Sequence, residues 1–175
     1  MRPTILDSQK AVNVIAYLAS KLPERRNAYK ILKVIYLANK THLERYGRQI
    51  FNETYQALEW GTVPAFSYDV VTHVRTGKLQ PRMPEDVKRK LRVSPGHTIT
   101  ALVRPNLRAL SETDIECLDE AVQFYRPMTF DQVADNAHED AAYKEAAPDT
   151  FIPLERIIVL TLKDGEKLLR HLKAA

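Results

Sequence analysis

The segment Tyr29-Lys30-Ile31-Leu32-Lys33-Val34-Ile35-Tyr36-Leu37-Ala38-Asn39-Lys40-Thr41-His42-Leu43-Glu44-Arg45-Tyr46-Gly47 places apolar side chains on both sides of a helical wheel. A helix patterned in this way is expected to be buried for most of its length. Gly47, suited to a left-handed C-terminal residue, marks its end, and the segment Glu24 to Asn27 marks its start. Arg25, Arg26, Lys30, Lys33 and Lys40 are expected along its less buried side. A strand is expected next, over Asn52 to Trp60, and then Gly61-Thr62-Val63-Pro64, with Gly61 breaking the chain. Thr62 then caps a third helix and Pro64 fits its first turn, where a missing N–H costs nothing.

Upstream, Asp7 or Ser8 opens a first helix in which Ala11, Val14, Ile15, Leu18 and Leu22 make one apolar stripe, stopped by Pro23. Downstream, Phe66, Val70, Val71 and Val74 continue the third helix to about Gly77. Residues 78–96, with Pro81, Pro84, Pro95 and many cations, read as an irregular connection containing one turn of helix. His97 to Val103 alternates and is β-branched, which predicts a second strand able to pair with the first. Ser111-Glu112-Thr113-Asp114 and Thr129-Phe130-Asp131-Gln132 are helix-starting capping boxes. The first of these helices is expected to bury Ile115, Leu118, Val122 and Tyr125, and the second Phe130, Val133 and Ala137. Phe151 to Leu162 fits a strand or a helix, and periodicity does not choose. Asp164 starts a final short helix with Leu168, Leu169 and Leu172.

The fold class implied is α+β, mainly α-helical: a compact helical domain with a small two- or three-stranded β element. A length of 175 residues suits a single domain over 1–175, since domains commonly run about 100–200 residues. Cys117 is the only cysteine, and no segment approaches the roughly 20 apolar residues of a membrane span. With no signal-peptide pattern after Met1-Arg2-Pro3-Thr4, a cytoplasmic location is expected.

The net charge of +4 is unevenly distributed. Seven cations (Arg75, Lys78, Arg82, Lys88, Arg89, Lys90, Arg92) face only Glu85 and Asp86, whereas nine carboxylates from Glu112 to Asp140 face only Arg126. The basic run could neutralise phosphates, making a nucleic-acid-binding regulator the alternative reading. Against it, no aromatics are interleaved there to stack on bases.

Catalytic signatures are sparse. His138-Glu139-Asp140 is the densest group, a weak basis for a hydrolase, because the residue four after His138 is Ala142 rather than a second histidine. His42 with Glu44 and His73 with Asp69 are local pairs of a kind common in structural settings. Cys117 sits in an apolar helical pattern, and Ser67 and Ser94 lack a glycine-flanked elbow. The chain does not read as an enzyme, and neither a cofactor nor a metal is expected.

Several short motifs together resemble the Panacea or SocA-like antitoxin domain: Tyr36-Leu37-Ala38, His42-Leu43, Tyr46-Gly47, Thr54-Tyr55-Gln56-Ala57, Gly61-Thr62-Val63-Pro64 and Tyr68. Leu110-Ser111-Glu112 with Leu118-Asp119, and Asn136-Ala137-His138-Glu139-Asp140 with Tyr143-Lys144, extend the resemblance over about 7–147, leaving 148–175 as a C-terminal extension packed on it. Thr62 stands where the family's turn has its first proline, and Tyr143 where a tryptophan is more usual. The family is phage-associated as well as bacterial and archaeal. The resemblance implies an antitoxin that neutralises a cognate toxin, encoded by an adjacent gene, through direct contact. One described family member instead delivers its toxin to the ClpXP protease. Tyr36, Trp60, Tyr68, His73, His138 and Tyr143 are the candidate partner-binding residues, with core packing the competing role for Trp60 and Tyr36.

Overall fold

Asp7 accepts the Lys10 amide at 2.9 Å and so opens α1 (Ser8–Lys21), as its sequence position implies. The structure, a computed structural model, describes residues 5–174. α2 (Asn27–Tyr46) follows and buries twelve of its twenty residues, ending at Gly47 in the left-handed conformation (φ +69°). Then come β1 (Tyr55–Leu58), β2 (Gly61–Pro64), α3 (Ala65–Thr76), the single turn α4 (Val87–Lys90), β3 (Leu91–Val93) and β4 (Ile99–Ala101). The C-terminal half contains α5 (Glu112–Tyr125), α6 (Phe130–His138), α7 (Ala141–Lys144), β5 (Phe151–Ile152), α8 (Leu154–Thr161) and α9 (Gly165–Ala174). The protein is thus mainly α-helical with small antiparallel strands, and no described helix is long and apolar enough to cross a membrane. Both expected capping boxes form, at Ser111 with Asp114 and at Thr129 with Gln132.

The strands pair differently from expectation. Gly61 does not break the chain but turns it back, so β2 pairs with β1 in register Tyr55–Pro64, and β5 lies on the other edge of β1. Gly61 is required there: its φ is +97° and an added Cβ would meet the Ala137 Cβ at 2.7 Å. β4 pairs with β3 instead of β1, because the Asn27 side chain, at the start of α2, accepts the Ile99 amide (2.7 Å) and donates to the Ile99 carbonyl (3.1 Å). Within the connection 78–96, α4 is the expected turn of helix. β3 was hidden by its cations, although Leu91 and Val93 point inward around an exposed Arg92. Phe151 to Leu162 is both strand and helix, divided at Pro153, which cannot donate to a sheet but fits a helix start.

Thr62 does not cap α3. It is buried in β2 opposite Ala57, and Glu53 does the capping from the preceding loop. The Glu53 carboxylate, 3% exposed, accepts the Phe66 and Ser67 amides at 3.0 Å and the Ser67 hydroxyl at 2.9 Å. Burial pushes its pKa up, and these hydrogen bonds together with that from the Thr54 amide pull it back.

The main core joins α1, α2, α3 and α5 through Ile15, Leu18, Ile31, Ile35, Val70 and Leu118. Cys117 is buried there, its thiol pushed up to about 11 chiefly by burial, which is the setting of an inert packing residue. A smaller cluster of Tyr36, Tyr55, Ala57, Ala142, Ile152 and Ile157 ties α2 and β1 to α7, β5 and α8. Between α1, α2 and α5 the fully buried Asp114 carboxylate meets Lys10 Nζ (2.6 Å), His42 Nε2 (3.2 Å) and Arg48 (3.3 Å). Burial alone would raise its pKa. Hydrogen bonds from His42, Lys10 and the Ser111 amide overcome this and hold it well below the usual carboxylate range.

Two predictions follow from these buried carboxylates. Glu53→Ala strands the Phe66 and Ser67 amides and lowers unfolding stability by about 2–3 kcal/mol, while Glu53→Gln, which keeps an acceptor, loses less; urea denaturation compares them. Asp114 binds its proton more weakly folded than unfolded, so its contribution is complete above about pH 4 and is lost as pH falls further. Asp114→Asn is therefore expected to lose about 3–5 kcal/mol at pH 7 and to show a shallower stability loss between pH 5 and pH 2.5 than the parent.

Candidate functional site

Lys33, Tyr36, Leu37 and Lys40 recur at helical spacing and share one face of α2. β2, the end of α5 and the α6–α7 junction close over that face, leaving a cavity of about 260 Å³. Lys33 is therefore not on the less buried side, as its charge suggested, but only 1% exposed. Its Nζ donates to the Thr62 carbonyl at 2.7 Å and lies 5.1 Å from the centre of the Tyr29 ring. Burial pushes its pKa down to about 7, only partly opposed by the charge of Asp140.

Asp140 is the hub of the cavity wall. It accepts the Tyr36 hydroxyl at 3.1–3.2 Å and Lys40 Nζ at 2.8 Å. It also caps α7 by accepting the amides of Ala142 and Tyr143 at 3.1 and 3.2 Å. Burial, followed by the charge of Asp140, holds the Tyr36 hydroxyl well above its ordinary pKa.

On the outer side of α6 lies a chain of aromatic rings. Tyr29 packs on Phe130 (4.8 Å between centroids), Phe130 on Trp60 (5.7 Å), Trp60 on His138 (6.5 Å) and His138 on Tyr143 (5.4 Å). Trp60 and Phe130 are 46% and 49% exposed, a pair of large apolar side chains at the surface. The hairpin tip beneath them is clamped by side chains. His138 Nε2 (3.0 Å) and the Tyr143 hydroxyl (3.3 Å) both reach the Glu59 carbonyl, and the Tyr29 hydroxyl donates to the Trp60 carbonyl at 2.7 Å. Since a carbonyl only accepts, Nε2 of His138 carries a proton.

Four of the six sequence candidates thus gather around this hairpin and α6–α7: Tyr36, Trp60, His138 and Tyr143. Tyr36 is buried within the wall and Trp60 stands at the surface. Tyr68 and His73 sit on α3 and make no ring contact with this group; His73 Nδ1 engages the Lys78 carbonyl at 2.8 Å, not Asp69. His138, Glu139 and Asp140 face three different partners, namely Glu59, Lys144 and the Tyr36–Lys40 pair, and do not converge on one point. Among the described residues no three His, Cys, Asp or Glu side chains come together as metal ligands. Tyr29, Lys33 and Phe130 were not among the sequence candidates. Phe130, expected in the core, instead points outward from the first turn of α6.

Of the basic run, Lys90 is occupied by Asp86 (2.7 Å) and Gln9 (2.8 Å). Arg75, Lys78, Arg82, Lys88, Arg89 and Arg92 are exposed and form no ion pair among the described residues. Lys88 reaches the end of α3 at Gly77, where the helix carbonyls favour a cation.

Residues 31–144 match the family model described as antitoxin SocA-like, Panacea domain. The match lies within the segment of about 7–147 that carries the resemblance and begins inside α2, leaving α1 outside it. No curated protein and no solved structure matches the chain.

The buried ammonium of Lys33 yields a testable asymmetry. Lys33 holds its proton more tightly in the unfolded chain than in the folded one, so stability rises as pH climbs above about 7 toward the ordinary lysine value. Lys33→Met removes the buried charge while keeping an unbranched stem. It is expected to be as stable as the parent or more so at pH 7, and to lack the rise between pH 7 and 9 in urea denaturation.

Proposed function

This chain belongs to the SocA-like Panacea antitoxin domain family, and on that premise we propose that it silences a partner toxin by direct protein–protein contact. Membership supports an antitoxin role in general. The observation that carries the finer reading is the exposed Trp60–Phe130 pair within the matched segment. Aromatic side chains of this kind dominate binding energy at interfaces, and a clamped backbone beneath them reduces the ordering cost of binding. The partner is a toxin encoded by an adjacent gene. Such contact serves either stoichiometric occlusion or delivery to ClpXP, and the partner's level in the cell separates the two.

The alternative, a nucleic-acid-binding regulator, draws on the six unpaired cations of the 75–92 region. It predicts ligand loss that is steep in salt. The antitoxin reading predicts a complex that survives nuclease treatment and a high-salt wash.

The test is capture of the neighbour-encoded protein by the tagged chain from its host, with growth and partner level followed in parallel. Expression of the partner alone is expected to arrest growth, and co-expression of this chain to restore growth with the partner's level unchanged. Trp60→Ala is expected to weaken capture about thirty-fold, a loss of about 2 kcal/mol, with little change in unfolding stability. A shortened partner half-life would favour the protease-adaptor role, and binding abolished by nuclease would favour the regulator.

A further inference from the structure

The cavity beneath α6 has an unmatched cation at its floor. Each of its two carboxylates already has a lysine: Asp140 is paired with Lys40 at 2.8 Å and Glu139 with Lys144 at 2.5 Å. Lys33 has no carboxylate in hydrogen-bonding range among the described residues. Its single hydrogen bond goes to the Thr62 carbonyl, which leaves two of its three N–H groups unused. Thr62 itself is 1% exposed, with its Oγ1 beside the Tyr36 hydroxyl. Buried polar groups of this type are normally satisfied, so an ammonium with two unused N–H groups on the cavity wall implies an acceptor that completes it. What satisfies an ammonium best is an acceptor bearing negative charge.

Asp140 cannot supply it. Tyr36, Lys40 and two backbone amides already use its oxygens. The cavity, about 260 Å³, has room for the end of one side chain. The walls are mixed, with Leu37 and Phe124 alongside the polar groups, and Phe124 and Asn136 are exposed at the mouth. That combination suits a short methylene stem ending in a charged group.

We infer that this cavity is a docking pocket for an acidic side chain, glutamate or aspartate, of the partner protein, its carboxylate held by Lys33 Nζ. The inference rests on the antitoxin reading for the identity of the partner, and on the cavity for the chemistry. Docking a carboxylate on Lys33 favours its protonated form, so binding takes up a proton when pH exceeds about 7. The other titratable groups facing Lys33 do not confound this window. The hydroxyls of Tyr29, Tyr36 and Tyr125 are pushed up by burial, Lys40 and Asp140 are paired, and Lys144 pulls Glu139 down.

The first experiment uses the full chain with isotopically labelled lysine side chains, the Lys33 signal being assigned by its loss in Lys33→Met. The probes are N-acetyl-glutamate methylamide, its glutamine counterpart and inorganic phosphate at matched ionic strength. The glutamate probe is expected to move the Lys33 signal saturably in the millimolar range and to raise its titration midpoint by about one unit or more. The glutamine probe and phosphate are expected to do neither. An unmoved Lys33 signal, or an equal response to phosphate or to the glutamine probe, overturns the inference. The second experiment captures the partner with the parent chain and with Lys33→Met at pH 6.5 and 8.5. Parent capture is expected to weaken several-fold at the higher pH, and that of Lys33→Met to be about thirty-fold weaker at pH 6.5 and flat with pH. Equal capture by both chains overturns the pocket while leaving the antitoxin reading intact. Failure of the parent to capture any partner overturns the antitoxin reading, and the probe titration then decides the pocket by itself.

Discussion

A helix buried around most of its circumference cannot leave its polar side chains to water, and this constraint organises the molecule. α2 carries Asn27, Lys33, Asn39 and His42 into the interior, each at most 1% exposed. Each of them takes hold of a different element. Asn27 binds both backbone groups of Ile99 in β4. Lys33 holds β2 through the Thr62 carbonyl. Asn39 accepts the Ile50 amide at 2.9 Å in the loop that leads to β1. His42 bridges the Arg48 carbonyl (2.8 Å) and the Thr113–Asp114 start of α5. Burying such groups without partners would cost several kcal/mol each, so the hydrophobic burial of α2 favours the arrangement in which each of the four finds at least one partner. Apolar packing drives the collapse, and these polar contacts select one topology from it.

The candidate site is the outward continuation of the same helix. Tyr36 and Lys40 do not secure a strand; they secure Asp140, which in turn starts α7. Asp140 therefore joins the cavity to the smaller core cluster in which Ala142 packs against Tyr36 and Tyr55. Ile152 and Ile157 belong to that cluster too, so β5 and α8 are held by the residues that wall the cavity. Lys33 is the exception in this scheme. Its one hydrogen bond is a poor return for burying an ammonium, and an apolar side chain of similar length would fold more cheaply. Departures from local consistency of this kind concentrate where a protein meets a ligand.

Much of this was legible in the residues because the signals were local. The apolar wheel of Tyr29 to Gly47, the two capping boxes and the glycine at the end of α2 each specify an element without reference to the rest of the chain. The errors came where distant partners decide. Lys33 looked like a surface lysine because nothing near it in sequence shows that β2 and α6 cover it. Thr62 and Pro64 looked like a helix start because the true cap, Glu53, lies twelve residues before the helix begins and acts through space. Phe130 looked like core because it shares the helical face of Val133 and Ala137, yet it is the first residue of α6, beyond the edge of the core, and packs on Tyr29 and Trp60 at the surface. β3 was masked by the cations on either side of Leu91, whose inward side chain is what the strand is built on.

The clamping of the hairpin tip explains why this surface, rather than the basic run, is the better candidate for specific recognition. Two side chains from the α6–α7 region hold the Glu59 carbonyl and one from α2 holds the Trp60 carbonyl, so the backbone that presents Trp60 is fixed from both sides. An aromatic side chain has few rotatable bonds, and on a fixed backbone it loses little entropy when a partner covers it. Apart from Lys90, the cations of 75–92 stand on long side chains without ion-pair partners among the described residues, and ordering them costs more per contact. Their fields reach farther but discriminate less, which suits steering an encounter better than choosing a partner. If the proposed pocket receives its partner, rigid aromatics beside a cavity with one unmatched charge would combine affinity with a chemical requirement, since a partner lacking an acidic side chain at the right place would leave Lys33 buried and unpaired.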